Sequence, residues 1–303
     1  MGLMALVRSY FKSSILLIFI SLFFSCTQNK KNERALKITE NEQTDTLSML
    51  LKFENSLFPL PSPYQAASLI KKHNFPYDET LVNSPSKYQN YSTAFKQALN
   101  LGIFGTDLSY LNVYERTPES ISFLSVIKKL SDQLGITEAF DQTFFISIEK
   151  NINNKDSLLS ILSKTYQNAD YYLKTNDRKN IGALIITGGW IESVYILSKI
   201  ARTTNNREII NRIGEQKHPL DNLIEVLTPY YYKSAEFSKL IDSLIDLAYE
   251  FDGIIYSYSY KEPKIDVQNK RIYINSESRV VISEYHLETI SKKVESIRNQ
   301  IIE

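Results

Sequence analysis

The segment "IGALIITGGWIESVYIL", residues 181 to 197, carries one charge, Glu192, and two hydroxyls, Thr187 and Ser193, in 17 positions. A helix written this way is apolar almost all round, so the remainder of the fold must wrap it. Adjacent Gly188 and Gly189 each cost roughly 1 kcal/mol inside a helix, and something has to offset that cost. In a structural reading the glycines admit another helix or a bulky side chain, while Glu192 finds a lysine, arginine or tyrosine partner. In a functional reading they form one wall of a cleft that presents Trp190, Glu192 and Tyr195 to a ligand. An earlier stretch, "LNLGIFGTDLSYLNVY", also has two glycines, followed by Asp107 and Tyr110. If the two segments face each other, Asp107, Tyr110, Trp190, Glu192 and Tyr195 line one candidate cavity.

Around this segment the pattern is helical. Ser62 and Pro63 read as a cap and first-turn proline for a helix reaching about His73. Tyr88, Tyr91, Phe95, Ala98 and Leu99 recur at three and four spacing. Gly102 and Gly105 predict a break, with a new helix from Thr106 or Asp107. Thr117 as cap, Pro118 in the first turn and Gly135 past the end predict a helix over "TPESISFLSVIKKLSDQLG". Further helices are expected over "TEAFDQTFFISIEK", "KDSLLSILSKTYQNADYYLKT", the 181–197 region, "NREIINRIGEQ", "PLDNLIEVLTPYYY" and "SAEFSKLIDSLIDLAYEF". Short connections predict that successive helices lie antiparallel.

After Gly253 the pattern changes to alternation, with Tyr256, Tyr258 and Tyr260 on one face and Ser257 and Ser259 on the other. A strand, a Pro-containing connection and a hairpin around "NSES" are expected, with the tyrosines packed under a last helix capped by Ser283. Leu287, Ile290, Val294 and Ile297 give that helix its apolar stripe. The fold class is therefore mainly α: an antiparallel helical array with a small C-terminal β-hairpin or three-stranded sheet and a closing helix.

The search for chemistry is mostly negative. His73, His218 and His286 are far apart, with no metal-ligand spacing. "DVQNKRIYINSE" begins like a calcium loop, but Lys270 occupies a ligand position and the glycine is missing. Neither phosphate-binding glycine pattern nor a nucleophile elbow occurs. No catalytic residue, cofactor or metal is assigned.

The first 25 residues contain Arg8 and Lys12, no acid, and an apolar run from Ile15 to Leu22 interrupted only by Ser21. This reads as a secretory signal, and the run is shorter than the roughly 20 residues that a bilayer core requires. Cys26, the single cysteine, follows the small residue Ser25. "LFFSC" resembles the lipobox of bacterial lipoproteins, departing from it at Phe23 and Phe24, and the resemblance implies lipid attachment at Cys26. Residues 27–44 lack aromatic side chains and read as a flexible tether spanning roughly 20 to 25 Å. Loss of residues 1–25 would leave 33 Lys and Arg against 34 Asp and Glu, a balance with no footprint for nucleic acid or for anionic lipid.

"LFFSC", "PSPYQAASLIKK", "ALNLGIFGTDLSY", "GGWIESVYI", "INRIGEQK" and "VESIRNQII" together resemble a group of helical lipoproteins of Bacteroidota. The resemblance implies an outer-membrane anchor facing the periplasm and carries no assigned activity. The expected organisation is a signal over 1–25, a tether over 26–44, a helical domain over 45–252, and a β element with a packed helix over 253–303. The expected role is binding an envelope protein or small-molecule ligand without catalysis; the alternative is a periplasmic hydrolase using the acids near the glycines.

Overall fold

Four helices begin where a side-chain oxygen accepts an otherwise unpaired backbone N–H. Thr93 caps Lys96, Asn206 caps Glu208 and Ile209, Ser234 caps Phe237, and Ser283 caps His286, each satisfying one or two of the orphan donors at a helix start. The structure, a computed structural model, describes residues 48–53, 56–61, 63–139, 143–151, 154, 157, 161 and 177–303. All of these belong to one unit, Asp45–Glu303. The expected signal, the tether with Cys26, the cap Ser62 and nearly all of the helix expected over 155–175 lie outside the described residues.

The protein is mainly helical. In chain order the elements are β1 (Ser48–Phe53), β2 (Ser56–Pro61), α1 (Pro63–Lys72), α2 (Ala94–Val113), α3 (Thr117–Gln133), α4 (Phe144–Asn151), α5 (Lys179–Thr204), α6 (Arg207–Gly214), α7 (Lys217–Leu227), α8 (Ala235–Asp252), β3 (Ile255–Ser259), β4 (Lys264–Asp266), β5 (Arg271–Tyr273), β6 (Glu277–Val281) and α9 (Glu284–Ile302). The centre is α5, packed against α2 and α9. By length and composition α5 could cross a membrane, but 83% of its most apolar window is buried inside the protein. Its sequence serves here as the hub of a core. The stripe Leu287, Ile290, Val294 and Ile297 is buried and faces inward from α9.

Several local expectations change. Helix α2 runs unbroken through Gly102 and Gly105. A Cβ on Gly102 would lie 1.9 Å from the Ile185 carbonyl oxygen, and one on Gly188 would lie 2.0 Å from that of Leu99. The glycines thus mark a backbone-to-backbone crossing of α2 and α5, where packing offsets their low helix propensity. The Tyr88–Leu99 periodicity spans two elements, a 3₁₀ segment Pro85–Asn90 and then α2 after its Thr93 cap. Thr117 is the first residue of α3 rather than its cap. Gly135, at φ +62°, reverses the chain after α3 so that the Ile136 N–H reaches the Ser131 carbonyl at 3.0 Å. β1 and β2 form an antiparallel hairpin that no alternation in residues 48–61 predicts.

The C-terminal β element is two separate two-stranded antiparallel ladders, β3–β6 and β4–β5, not a three-stranded sheet. Four residues, 260–263, face three, 274–276, between the ladders, so one extra residue shifts the register as in a bulge. The reversal lies at Val267–Lys270 instead of around "NSES", because Asp266 accepts from the Asn269 backbone and side chain, both at 3.0 Å, and Lys270 takes φ +53°. Nor do the tyrosines pack under α9. Tyr258 and Tyr260 are exposed, and Tyr256 donates its hydroxyl to the Gly214 carbonyl at 2.6 Å.

Candidate functional site

The crossing of α2 and α5 brings two acids together. Asp107 sits in α2 just beyond the Thr106 hydroxyl, which donates to the Gly189 carbonyl of α5 at 3.0 Å. Glu192 lies one helical turn beyond Gly188 and Gly189. Both acids are 0% exposed. The third helix, α9, supplies the countercharge: Arg298 donates from Nε and Nη2 to the two Glu192 carboxylate oxygens at 2.6 and 2.8 Å, and from Nη2 to the Leu81 carbonyl at 3.3 Å. This bidentate pairing uses the planar guanidinium fork, which fits a carboxylate better than an ammonium does. Burial opposes the charge on Arg298, but the adjacent Glu192 outweighs it and raises the guanidinium pKa.

Asp107 behaves differently. Its Oδ2 accepts from the Asn83 N–H at 3.0 Å, while Oδ1 has no N–H or O–H donor facing it. Burial first, and the neighbouring Glu192 second, hold its pKa well above the usual carboxylate value, against the lowering influence of Arg298 and Asn83. The carboxyl therefore favours its protonated form more than an exposed aspartate does, and a proton on the otherwise partnerless oxygen would be donated toward Glu192. The cluster is thus the Glu192–Arg298 pair with Asp107 beside it.

Tyr195 completes this side of the cluster, since the Arg298 guanidinium lies 4.1 Å from its ring centroid in a cation–π arrangement. Asn83 also donates to the Tyr91 hydroxyl at 3.0 Å, and Asn100 donates to the Ile301 carbonyl of α9 at 3.0 Å. The remaining two candidates have other partners. Tyr110 accepts from the Asp78 N–H at 3.0 Å and stacks against Tyr77. Trp190 donates to Gln216 at 3.1 Å. All five candidates are buried, at no more than 6% exposure. Asp107, Glu192 and Tyr195 thus share one polar cluster, whereas Tyr110 and Trp190 tie the core to other parts of the fold.

The sequence calls for a basic or aromatic partner for Glu192 without singling out Arg298. The signal was present, because Arg298 continues the inward spacing of Ile290 and Val294 and is a cation on an apolar stripe. Asn83 and Tyr91 left no such trace. The histidines are dispersed: His73 meets Glu208 at 2.7 Å and His286 meets the Ser283 hydroxyl at 2.8 Å, while His218 lies beside the Tyr256 ring. Among the described residues no group of three or more His, Cys, Asp or Glu side chains is placed to hold a metal ion.

The raised pKa of Asp107 predicts a pH effect. The folded state binds this proton more tightly than the unfolded chain, so its contribution to stability is complete below about pH 4 and is lost as pH rises toward the folded-state pKa. The limiting slope for one proton is about 1.4 kcal/mol per pH unit. Asp107→Asn is expected to flatten the decline, so that urea midpoints at pH 5, 6, 7 and 8 fall less than those of the parent. Parallel profiles for the two proteins would show that Asp107 titrates as an ordinary carboxyl.

Compared with protein-family models, curated proteins and solved structures, the chain matches none of them.

Proposed function

We propose that this chain is a lipid-anchored protein of the bacterial cell envelope that works by binding a partner or ligand and not by catalysis. In this reading Cys26 carries the lipid, the anchor lies in the outer membrane, and the folded unit faces the periplasm beyond a short tether. The observation that carries the non-catalytic part is the closure of the acid cluster. Asp107 and Glu192 have no exposed surface, and Arg298 occupies both oxygens of Glu192. A substrate would have to displace the guanidinium and part three helices to reach either acid. The likeness of "LFFSC" to a lipobox and the resemblance to Bacteroidota lipoproteins support the location.

A hydrolase remains the second reading, favoured by one feature: a protonated Asp107 beside the Glu192 carboxylate is an acid and base in contact. That chemistry requires the α2–α5–α9 core to open.

Mass spectrometry of protein isolated from its own envelope tests the proposal. The expected first peptide starts at Cys26 with a diacylglycerol thioether and an acylated amine; Cys26→Ser should move the protein from the membrane pellet to the soluble fraction unless residues 1–25 remain attached. An unmodified thiol, or a peptide beginning at Met1, would overturn the location. Crosslinking in intact envelopes addresses the role: a captured partner retained by Asp107→Asn supports binding, and a hydrolytic activity abolished by the same substitution supports the second reading.

A further inference from the structure

The two-stranded ribbon formed by residues 255–281 is fixed at its base and uncovered at its far end. At the base, Tyr256 bonds to Gly214 and Val280 lies so close to Gly214 that a Cβ there would sit 2.3 Å from it. In the distal ladder Ile265 pairs directly with Ile272, while Lys264 pairs with Tyr273 and Asp266 with Arg271. Directly paired residues share a face and side chains alternate every residue. Val267, the first residue of the turn, and Ile274, just past β5, flank this pair. One side of the β4–β5 ladder carries Ile265 and Ile272, and the other carries Lys264, Asp266, Arg271 and Tyr273.

The aliphatic face is open: Ile265, Val267, Ile272 and Ile274 are 65%, 80%, 66% and 80% exposed. Isolated two-stranded ribbons are marginal in water, and a concentrated apolar face on one marks something that covers it. The charge identifies what. Although the chain as a whole is nearly balanced, residues 260–276 contain four bases, Lys261, Lys264, Lys270 and Arg271, against two acids, Glu262 and Asp266.

We infer that the distal ribbon docks on an anionic lipid surface, with Ile265, Val267, Ile272 and Ile274 entering the boundary between headgroups and acyl chains while Lys264 and Lys270 reach the phosphates. Amphipathic elements at a bilayer have this division of labour, with lysine and arginine stems lying along apolar surface and their heads in the headgroup layer. A second copy of the chain fits less well. Four side chains fall far short of the roughly 20 to 30 residues per side of a stable protein interface, and joining two such ribbons would bring two basic tips together. The inference rests on the envelope reading for the presence of a bilayer, and makes the ribbon a second attachment that lays the folded unit against the lipid.

The test uses the full chain with Cys26→Ser, so that one introduced thiol carries a bimane fluorophore, either at Ile272→Cys on the aliphatic face or at Tyr273→Cys on the opposite one. Vesicles of phosphatidylcholine, with or without phosphatidylglycerol, contain a doxyl-labelled lipid as quencher. In anionic vesicles the label at 272 should be quenched several-fold more than the label at 273. Lys264→Gln with Lys270→Gln should lower the ratio of docked to free ribbon about fivefold for each charge removed. Equal quenching at the two positions, or equal quenching at 272 in neutral vesicles, would overturn the inference. Concentration-dependent crosslinking through position 272 without quenching would also overturn it, and would assign the face to a second copy. Failure of lipidation at Cys26 would leave this readout unchanged, because the thiol is absent from the protein used.

Discussion

Gly102→Ala and Gly188→Ala are each expected to destabilise the protein by about 3 kcal/mol or more, the upper range for overpacking in a core. The added Cβ would meet a backbone carbonyl oxygen, of Ile185 at 1.9 Å or Leu99 at 2.0 Å. Neither obstacle is a flexible side chain that could rotate away, so α2 and α5 would have to separate. That separation would also pull Thr106 from the Gly189 carbonyl and Asp107 from Glu192. Gly189→Ala is the internal control. Its Cβ would stand 3.4 Å from the Gly102 oxygen and the Thr106 hydroxyl, and alanine's better helix propensity, worth about 1 kcal/mol, would offset small adjustments. Urea midpoints should therefore drop sharply for Gly102→Ala and Gly188→Ala and shift little for Gly189→Ala. Equal losses at all three positions would mean that propensity, not the crossing, sets the requirement for glycine.

Arg298→Met should produce a loss of comparable size, about 3 to 5 kcal/mol, as expected when one member of a buried ion pair is removed and the other is left charged. Glu192 has no exposed surface, and the two carboxylate–guanidinium bonds account for both of its oxygens. The Leu81 carbonyl would lose its Nη2 donor in the same variant. The double variant Glu192→Leu with Arg298→Met should recover much of that loss, since a well-packed apolar pair of similar volume avoids the desolvation cost. A double-mutant cycle from equilibrium denaturation at pH 7 measures the coupling. Additive losses, with no recovery in the double variant, would show that packing around these side chains outweighs their pairing.

Much of the helical scaffold was legible from particular residues. Asn206, Ser234 and Ser283 begin helices because a short polar side chain next to an apolar repeat can accept the first free N–H. The buried stripe of α9 follows from spacing alone, and α5 could be placed at the centre because its segment has no polar face to give to water. Gly102 was misread for a related reason: in isolation a glycine in a helical pattern predicts a break, and only the backbone of α5 lying against it restores the helix. The β4–β5 reversal escaped because its signal, the Asp266 side chain bonding three residues ahead, is weaker in sequence than the serine and asparagine cluster that follows.

The candidate site divides in the same way. Residue types marked Glu192 as a group needing a partner, and Asp107 as its echo in a second glycine-bearing segment. That these segments face each other, that Arg298 arrives from 106 positions away, and that the cluster is closed are properties of the assembled helices.

The chain alone settled most of the helices, the inward stripe of α9 and which charge would need company, since caps, periodicity and desolvation act over a few residues. Three-dimensional packing decided which helices cross at glycine, which acid has its pKa raised and which is ion-paired, and that the aliphatic side chains of the terminal ribbon are left uncovered by the described residues. Those outcomes depend on distances between residues remote in sequence, where burial and charge take effect only after the chain has closed on itself.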